Sequence, residues 1–195
     1  MVTYTNRFDK ALRRSAQAHE QSGHHRKGTD IPYITHPFGV ALIAGMATDD
    51  EDTLIACLLH DTLEDVRPEI YNEDDIRRDF GGRVLSIVKD VTKDDSLTSW
   101  RDRSEAYLAH LRDEASSEAI IVSASDKIHN LKSILIDYET VGDELWQRFT
   151  TKSKADQVWW YQSILETIIA RNAPKPLVEE LARAVDALLD LESAK

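Results

Sequence analysis

Apolar residues recur at helical spacing almost from the start of this chain. Phe8, Ala11, Leu12, Ser15 and Ala18 fall at i, i+3, i+4, i+7 and i+10, one face of an amphipathic helix. A polar loop from Gly23 to Thr35 interrupts the pattern, with Gly28 and Pro32 opposing its continuation. Pro37 suits the first turn of a second helix, which runs to about Ala47. Asp49 and Asp50 then cap a third from about Asp52 to Leu63. A short helix from Glu73 to Phe80 begins at Asn72 and stops at Gly81 and Gly82, and Val84, Ile87, Val88 and Val91 mark the next. Further helices are expected over 99–113, 116–137, 143–171 and 176–192, with Pro174 and Pro176 parting the last two. Sustained β alternation and internal repeats are absent. The pattern predicts an all-α bundle of eight to nine helices forming one domain over 1–195, of the kind whose core faces can hold a metal.

Composition agrees and narrows the function. At 195 residues, with 42% hydrophobic and 30% charged residues, the chain is that of a globular protein. With 24 Lys+Arg against 35 Asp+Glu the net charge is −11, so it lacks the broad basic surface that duplex nucleic acid requires. A small phosphorylated ligand needs only a local basic cluster. The apolar run Leu54–Leu59 is far shorter than the ~20 residues that span a bilayer. A lone cysteine, Cys57, and an N-terminus without a charged-then-apolar leader suggest a cytoplasmic protein with no membrane partner.

Candidate chemistry concentrates in three segments. In Leu58-Leu59-His60-Asp61-Thr62-Leu63-Glu64-Asp65, helical spacing sets His60 with Glu64 and Asp61 with Asp65. Four polar groups beside a Leu-Leu run are costly unless compensated, and a divalent cation compensates them. Pro32-Tyr33-Ile34-Thr35-His36-Pro37 holds a histidine between two prolines. Asp126, Asn130 and Ser133 make a polar stripe on a helix otherwise rich in Ile, Val and Leu. His36, His60, Asp61 and Asp126 together offer two nitrogens and two carboxylates, a set that suits Mn²⁺, Fe²⁺ or Zn²⁺ with positions left for water and substrate. Judged singly, Lys27, Lys93 and Lys154 read as solvated surface residues, His24 and His25 as loop histidines, and His129 as a residue that packs or hydrogen-bonds in its helix. Trp100, Trp146, Trp159, Trp160 and Tyr161 read as core before they read as a base-stacking wall.

The segments Arg26-Lys27-Gly28, Pro32–Pro37, His60-Asp61-x-x-Glu64-Asp65, Val91-Thr92-Lys93 and Asp126–Asn130 stand in the order seen in HD-domain phosphohydrolases. More narrowly, the chain resembles the hydrolase domain of RelA/SpoT-type enzymes and its stand-alone form, the small alarmone hydrolase. The resemblance covers about 7–137 well and the remainder weakly. It implies one Mn²⁺ ion held by His36, His60, Asp61 and Asp126, with Glu64 and Asp65 positioning and deprotonating the attacking water. It also implies nucleotide contacts from Arg26, Lys27, Tyr33, Lys93, Asn130, Ser133 and Lys154. Ser133 stands where the family more often has threonine, and Lys127 where arginine is commoner. The implied reaction removes the 3′-pyrophosphate from ppGpp or pppGpp, giving GDP or GTP and pyrophosphate. The length leaves no room for a synthetase domain. Two alternatives keep the fold: hydrolysis of another nucleotide (ppApp, the 2′-phosphate of NADPH, a nucleoside monophosphate), or nucleotide binding without catalysis. The partner is a small nucleotide, and a homodimer is compatible with the chain.

Overall fold

The computed structural model describes residues 3–94 and 96–191. Ten α-helices follow one another: α1 Asn6–Gln21, α2 Thr35–Ala44, α3 Glu51–Leu59, α4 Thr62–Asp65, α5 Glu73–Phe80, α6 Gly82–Val91, α7 Trp100–Asp113, α8 Ser117–Val141, α9 Lys154–Ala170 and α10 Lys175–Asp190. A 3₁₀ turn, Gly142–Arg148, lies between α8 and α9. Among the described residues the architecture is all-α, as the periodicity predicts, with nine longer helices and the one-turn α4. Glu192, the last residue of the final expected helix, and the first two residues lie outside the described chain.

Six of these ten helices begin on a side-chain cap. Thr5 accepts from the Phe8 amide, Asp50 from Thr53, and Ser116 from Ala119, so α1, α3 and α8 begin on side-chain caps. Asn72 and Asp75 form a reciprocal capping box that starts α5, and Gly81 ends it at φ 94°, where other residues would be strained.

Two expected helices are interrupted. The helix expected over 52–63 stops at Leu59 because polar side chains take carbonyls of its last turn. His60 Nδ1 lies 2.8 Å from the Cys57 carbonyl, and Thr62 Oγ1 donates to the Leu59 carbonyl at 2.6 Å. Asp61 then opens α4. The helix expected over 143–171 divides into the 3₁₀ turn and α9. Lys152 sits at φ 50°, and Ser153 caps α9 by accepting from the Asp156 amide.

Helix α8 is the axis of the molecule, packing against α2, α3, α6, α9 and α10. It is buried from Ile128 back through Val122, and α3 is buried from Thr53 through Leu59. Helices enclosed on nearly all sides read as hydrophobic runs rather than narrow stripes. Each fully buried leucine, such as Leu58 or Leu59, contributes about 1.5–3 kcal/mol of burial. These two buried helices carry Asp126 and, at the C-terminal end of α3, His60. The site is thereby tied to the part of the fold least free to move. No helix among the described residues is long and apolar enough to cross a membrane.

Candidate metal centre and active site

Three elements converge on one buried point. The start of α2 delivers His36, the α3–α4 junction delivers His60 and Asp61, and the middle of α8 delivers Asp126. One ligand atom each from His36, His60 and Asp126 lies within 4.8 Å of the others, and all three residues are buried. His36 Nε2 is 3.2 Å from Asp126 Oδ1 and 3.3 Å from Asp61 Oδ2. His60 Nε2 is 3.1 Å from Asp61 Oδ1 and 3.6 Å from Asp126 Oδ1, yet it makes no hydrogen bond. A buried nitrogen aimed at two carboxylates without hydrogen-bond geometry, with its other nitrogen on a carbonyl, fits a cation between them. The mixed nitrogen and carboxylate set is compatible with Mn²⁺, Fe²⁺ or Zn²⁺.

Charge balance in the metal-free protein supports the same fit. Burial alone would strip the proton from His60, but Asp61 and Asp126 outweigh it and raise its pKa well above the usual imidazole range. Burial opposes ionisation of Asp126, but Lys127 and the two histidines hold its carboxyl well below the usual range. Cation binding here would displace a proton from His60. The Lys127 ammonium is itself buried, bonded to Asp126 Oδ2, and lies 5.4 Å from the Tyr107 ring centre and 5.6 Å from that of Trp160. The sequence marked Lys127 only as standing where arginine is commoner, read Trp160 as core first, and did not single out Tyr107. The signal for Lys127 was a lysine beside Asp126 in a stretch of α8 flanked by Val122, Ala124, Ile128 and Leu131.

Glu64 and Asp65 stand at the mouth of this cluster on α4. Tyr33 donates its hydroxyl to Asp61 Oδ2 at 2.6 Å and to Asp65 Oδ2 at 3.0 Å. Its hydroxyl serves the carboxylates, while Tyr33 also lines the larger cavity with Arg26 and Lys27, the nucleotide side expected of it. His19 stacks on that ring at 4.4 Å from the buried face of α1. Burial lowers the His19 pKa to about 4, so it backs Tyr33 as a neutral ring. Glu64 takes the Lys93 amide at 3.4 Å and faces Lys93 Nζ at 3.7 Å.

Asp65 carries a pH signature. Loss of water around its carboxyl, then the Asp61 and Glu64 carboxylates, raise its pKa from 3.8 to about 6. The folded protein thus holds this proton more tightly than the unfolded chain. The stability it lends is complete below about pH 4 and lost as pH rises through about 6. Asp65→Asn is therefore expected to stabilise the metal-free protein at pH 7.5 and to change it little at pH 4. Solvent reaches Asp65 and screens the repulsion, so the gain is at most about 1 kcal/mol. Urea denaturation of both proteins at the two pH values checks this, and equal effects at both would contradict it.

Two cavities meet at these residues. A polar one of about 190 Å³ holds His60, Asp61, Glu64 and Asp126, and a larger one of about 650 Å³ opens beside it. They share Tyr33, Asp65, Lys93, Lys127 and Asn130. Arg26, Lys27, Lys93, Lys127 and Arg148 line the larger cavity against only Asp65 and Asp137, so an acidic chain presents a cationic hollow. Arg26 donates to Asn130 Oδ1 at 2.9 Å, and Asn130 in turn donates to Asp126 Oδ1 at 2.5 Å. Ser133 lines the cavity while its hydroxyl bonds back to the His129 carbonyl at 3.0 Å. Lys154 is not brought there: its ammonium lies 6.0 Å over Trp146, and Arg148 from the 3₁₀ turn faces the cavity instead. Phe149, Trp160 and Tyr161 line the same wall, so the last two, though buried, are not core alone. A separate, mostly apolar cavity of about 420 Å³ beside Leu63 and Thr92 shares only Lys93 with these two.

A buried histidine–aspartate centre on an all-α bundle defines a class, and residues 11–158 match the HD domain family. The chain belongs to that family. It is 34% identical over 134 residues to a guanosine-3′,5′-bis(diphosphate) 3′-pyrophosphohydrolase of Aquifex aeolicus strain VF5, covering 68% of this chain and 19% of that relative. The chain thus spans about a fifth of that protein's length. It is 27% identical over 177 residues to the guanosine-3′,5′-bis(diphosphate) 3′-pyrophosphohydrolase MESH1 of Drosophila melanogaster, covering 89% of this chain and 91% of MESH1. Among solved structures, a metazoan ortholog of SpoT superposes with a TM-score of 0.78 at 24% identity over 95% of this chain and 97% of the other, sharing its fold.

Proposed function

We propose that this chain hydrolyses guanosine alarmones, converting ppGpp or pppGpp to GDP or GTP and pyrophosphate, with one Mn²⁺ ion held by His36, His60, Asp61 and Asp126. The observation that carries this reading is the buried His36–His60–Asp126 cluster opening, past Glu64 and Asp65, into a cationic cavity of about 650 Å³. The names of the Aquifex and Drosophila relatives support the same substrate. The reading takes the whole chain as one working unit, since α10, beyond the family match, packs on α8 and α9. It includes a cytoplasmic setting, consistent with the single buried thiol of Cys57.

When bound, the cation would neutralise phosphoryl charge and acidify water. Asp65, raised to about 6, accepts a proton from the attacking water near neutral pH, and Tyr33 fixes its carboxylate. Glu64 orients the water from its anchorage on Lys93. Water oxygen bonds to the 3′-linked phosphorus, the P–O3′ bond breaks, and the 3′-oxygen gains the proton that Asp65 took from the water. Lys93 and Lys127 face both cavities and hold the departing pyrophosphate, while Arg26, Lys27, Asn130 and Ser133 hold the nucleoside side.

The test incubates metal-stripped protein with ppGpp, ppApp and NADPH, with and without Mn²⁺, and resolves products by anion exchange. Mn²⁺-dependent GDP and pyrophosphate is the expected result. Phosphate from NADPH alone would move the function to another nucleotide, and metal binding with no product from any of the three would refute hydrolysis of these substrates.

A further inference from the structure

The two imidazoles at the centre are secured differently. His60 places Nδ1 2.8 Å from the Cys57 carbonyl, so its proton resides there and Nε2 presents a lone pair to the carboxylates when a cation replaces the second proton. His36 has no such carbonyl. Its Nδ1 lies 3.0 Å from Nδ1 of His129, a residue that the sequence offers only as packing or hydrogen-bonding within its own helix. Nitrogens facing at that distance share one proton, so one ring donates and the other accepts. On the far side, His36 Nε2 faces Asp61 and Asp126 at 3.3 and 3.2 Å, where a cation needs its lone pair. The proton therefore belongs on His36 Nδ1, with His129 Nδ1 accepting it and the His129 proton on Nε2.

Gly39 supplies an independent observation. It lies on α2 three residues after His36, in helical backbone that has no need of glycine's conformational range. Glycine is a poor helix residue, so its presence asks for a reason. A Cβ there would lie 2.3 Å from His129 Cδ2 and 2.4 Å from its Nε2, well inside contact distance. The His129 ring occupies the volume a side chain would fill, and stands edge-on to His36 with centroids 4.8 Å apart.

We propose that His129 is a positioning residue that fixes the tautomer and direction of the His36 ligand, and that Gly39 provides the space in which it does so. The proposal rests on the metal-site reading above. His60 relies on a main-chain carbonyl that no substitution removes, whereas His36 relies on a side chain. Cation affinity is thus tunable through His129. Because His129 also lines the larger cavity, a ligand there touches the residue that holds His36.

The experiment measures Mn²⁺ affinity without nucleotide, by titration calorimetry and by the signal of free Mn²⁺ in electron paramagnetic resonance. His129→Leu is expected to weaken binding about 10–100-fold, the usual effect of removing an outer partner of a ligating histidine. His129→Gln, whose side-chain oxygen can accept the proton, should stay within a few-fold of the natural protein. Gly39→Ala should weaken binding as His129→Leu does, and adding it to His129→Ala should cost nothing more. Circular dichroism melts in chelator separate these effects from misfolding. Folded His129→Leu with undiminished affinity would overturn the proposal, as would a Gly39→Ala cost that persists in the His129→Ala background. Natural protein that binds no Mn²⁺ would instead overturn the metal reading beneath it.

Discussion

Asp126→Asn is expected to abolish Mn²⁺ binding, to lower alarmone hydrolysis about 10³-fold or more, and to destabilise the metal-free protein by about 3–5 kcal/mol. The catalytic loss follows from removing a buried carboxylate whose Oδ1 faces both His36 and His60. A cation's stabilisation of phosphoryl charge is worth several kcal/mol, and each 1.36 kcal/mol is tenfold in rate. The stability loss has a different origin. Lys127 is buried, and Asp126 is the carboxylate bonded to it. An amide leaves that buried ammonium without the carboxylate bonded to it, which is costlier than never having buried the pair. The double variant Asp126→Asn with Lys127→Met should regain much of the stability and none of the metal binding. Calorimetry with Mn²⁺, urea denaturation in chelator and ppGpp turnover measure the three effects separately. Retained metal affinity in folded Asp126→Asn would remove Asp126 from the ligand set.

The second large effect concerns the acids on α4. Glu64→Gln and Asp65→Asn should each lower turnover about 10²–10⁴-fold, the range for general-base chemistry, while leaving Mn²⁺ affinity within a few-fold. Glu64 pairs with Lys93 and Asp65 with Tyr33, whereas Asp61 and Asp126 face the histidine nitrogens, which is why metal binding should survive. In the natural protein the rate should rise with pH through a limb at or below about 6, where Asp65 loses its proton. A bound cation can only move that limb downward, because positive charge favours the ionised form. Asp65→Asn should lose the limb. If turnover in Asp65→Asn keeps both its rate and its acid limb, proton transfer belongs to Glu64 instead. The same substitution is expected to stabilise the metal-free protein at pH 7.5, so activity and stability should move in opposite directions at this residue.

Local sequence settled much of this protein. Helices depend on i, i+3, i+4 periodicity and on caps such as Thr5, Asp50, Asn72 and Ser116, all interactions within a few residues. The His60–Asp61 pair, the prolines around His36 and the polar stripe through Asp126 were visible because polar groups on apolar helices violate local patterning and need a compensating partner. What local pattern could not show was which carbonyls the polar side chains would claim. His60 and Thr62 take carbonyls of the preceding turn, so the helix expected to run through Leu63 breaks where the chemistry lies.

Other features belong to the tertiary structure alone, since they join residues far apart in the chain. The His36–His129 contact spans 93 positions, and Arg26–Asn130 spans 104. The Tyr33 hydroxyl is turned onto Asp61 and Asp65 by the approach of the loop to α4, and Arg148 rather than Lys154 reaches the cavity because a 3₁₀ turn intervenes before α9. Spacing along the chain thus determined the helices and the residues able to bind a cation. Their tautomers, their charge partners and the shape of the cationic hollow were decided by packing around α8, because hydrogen-bond direction and burial exist only once those distant segments meet.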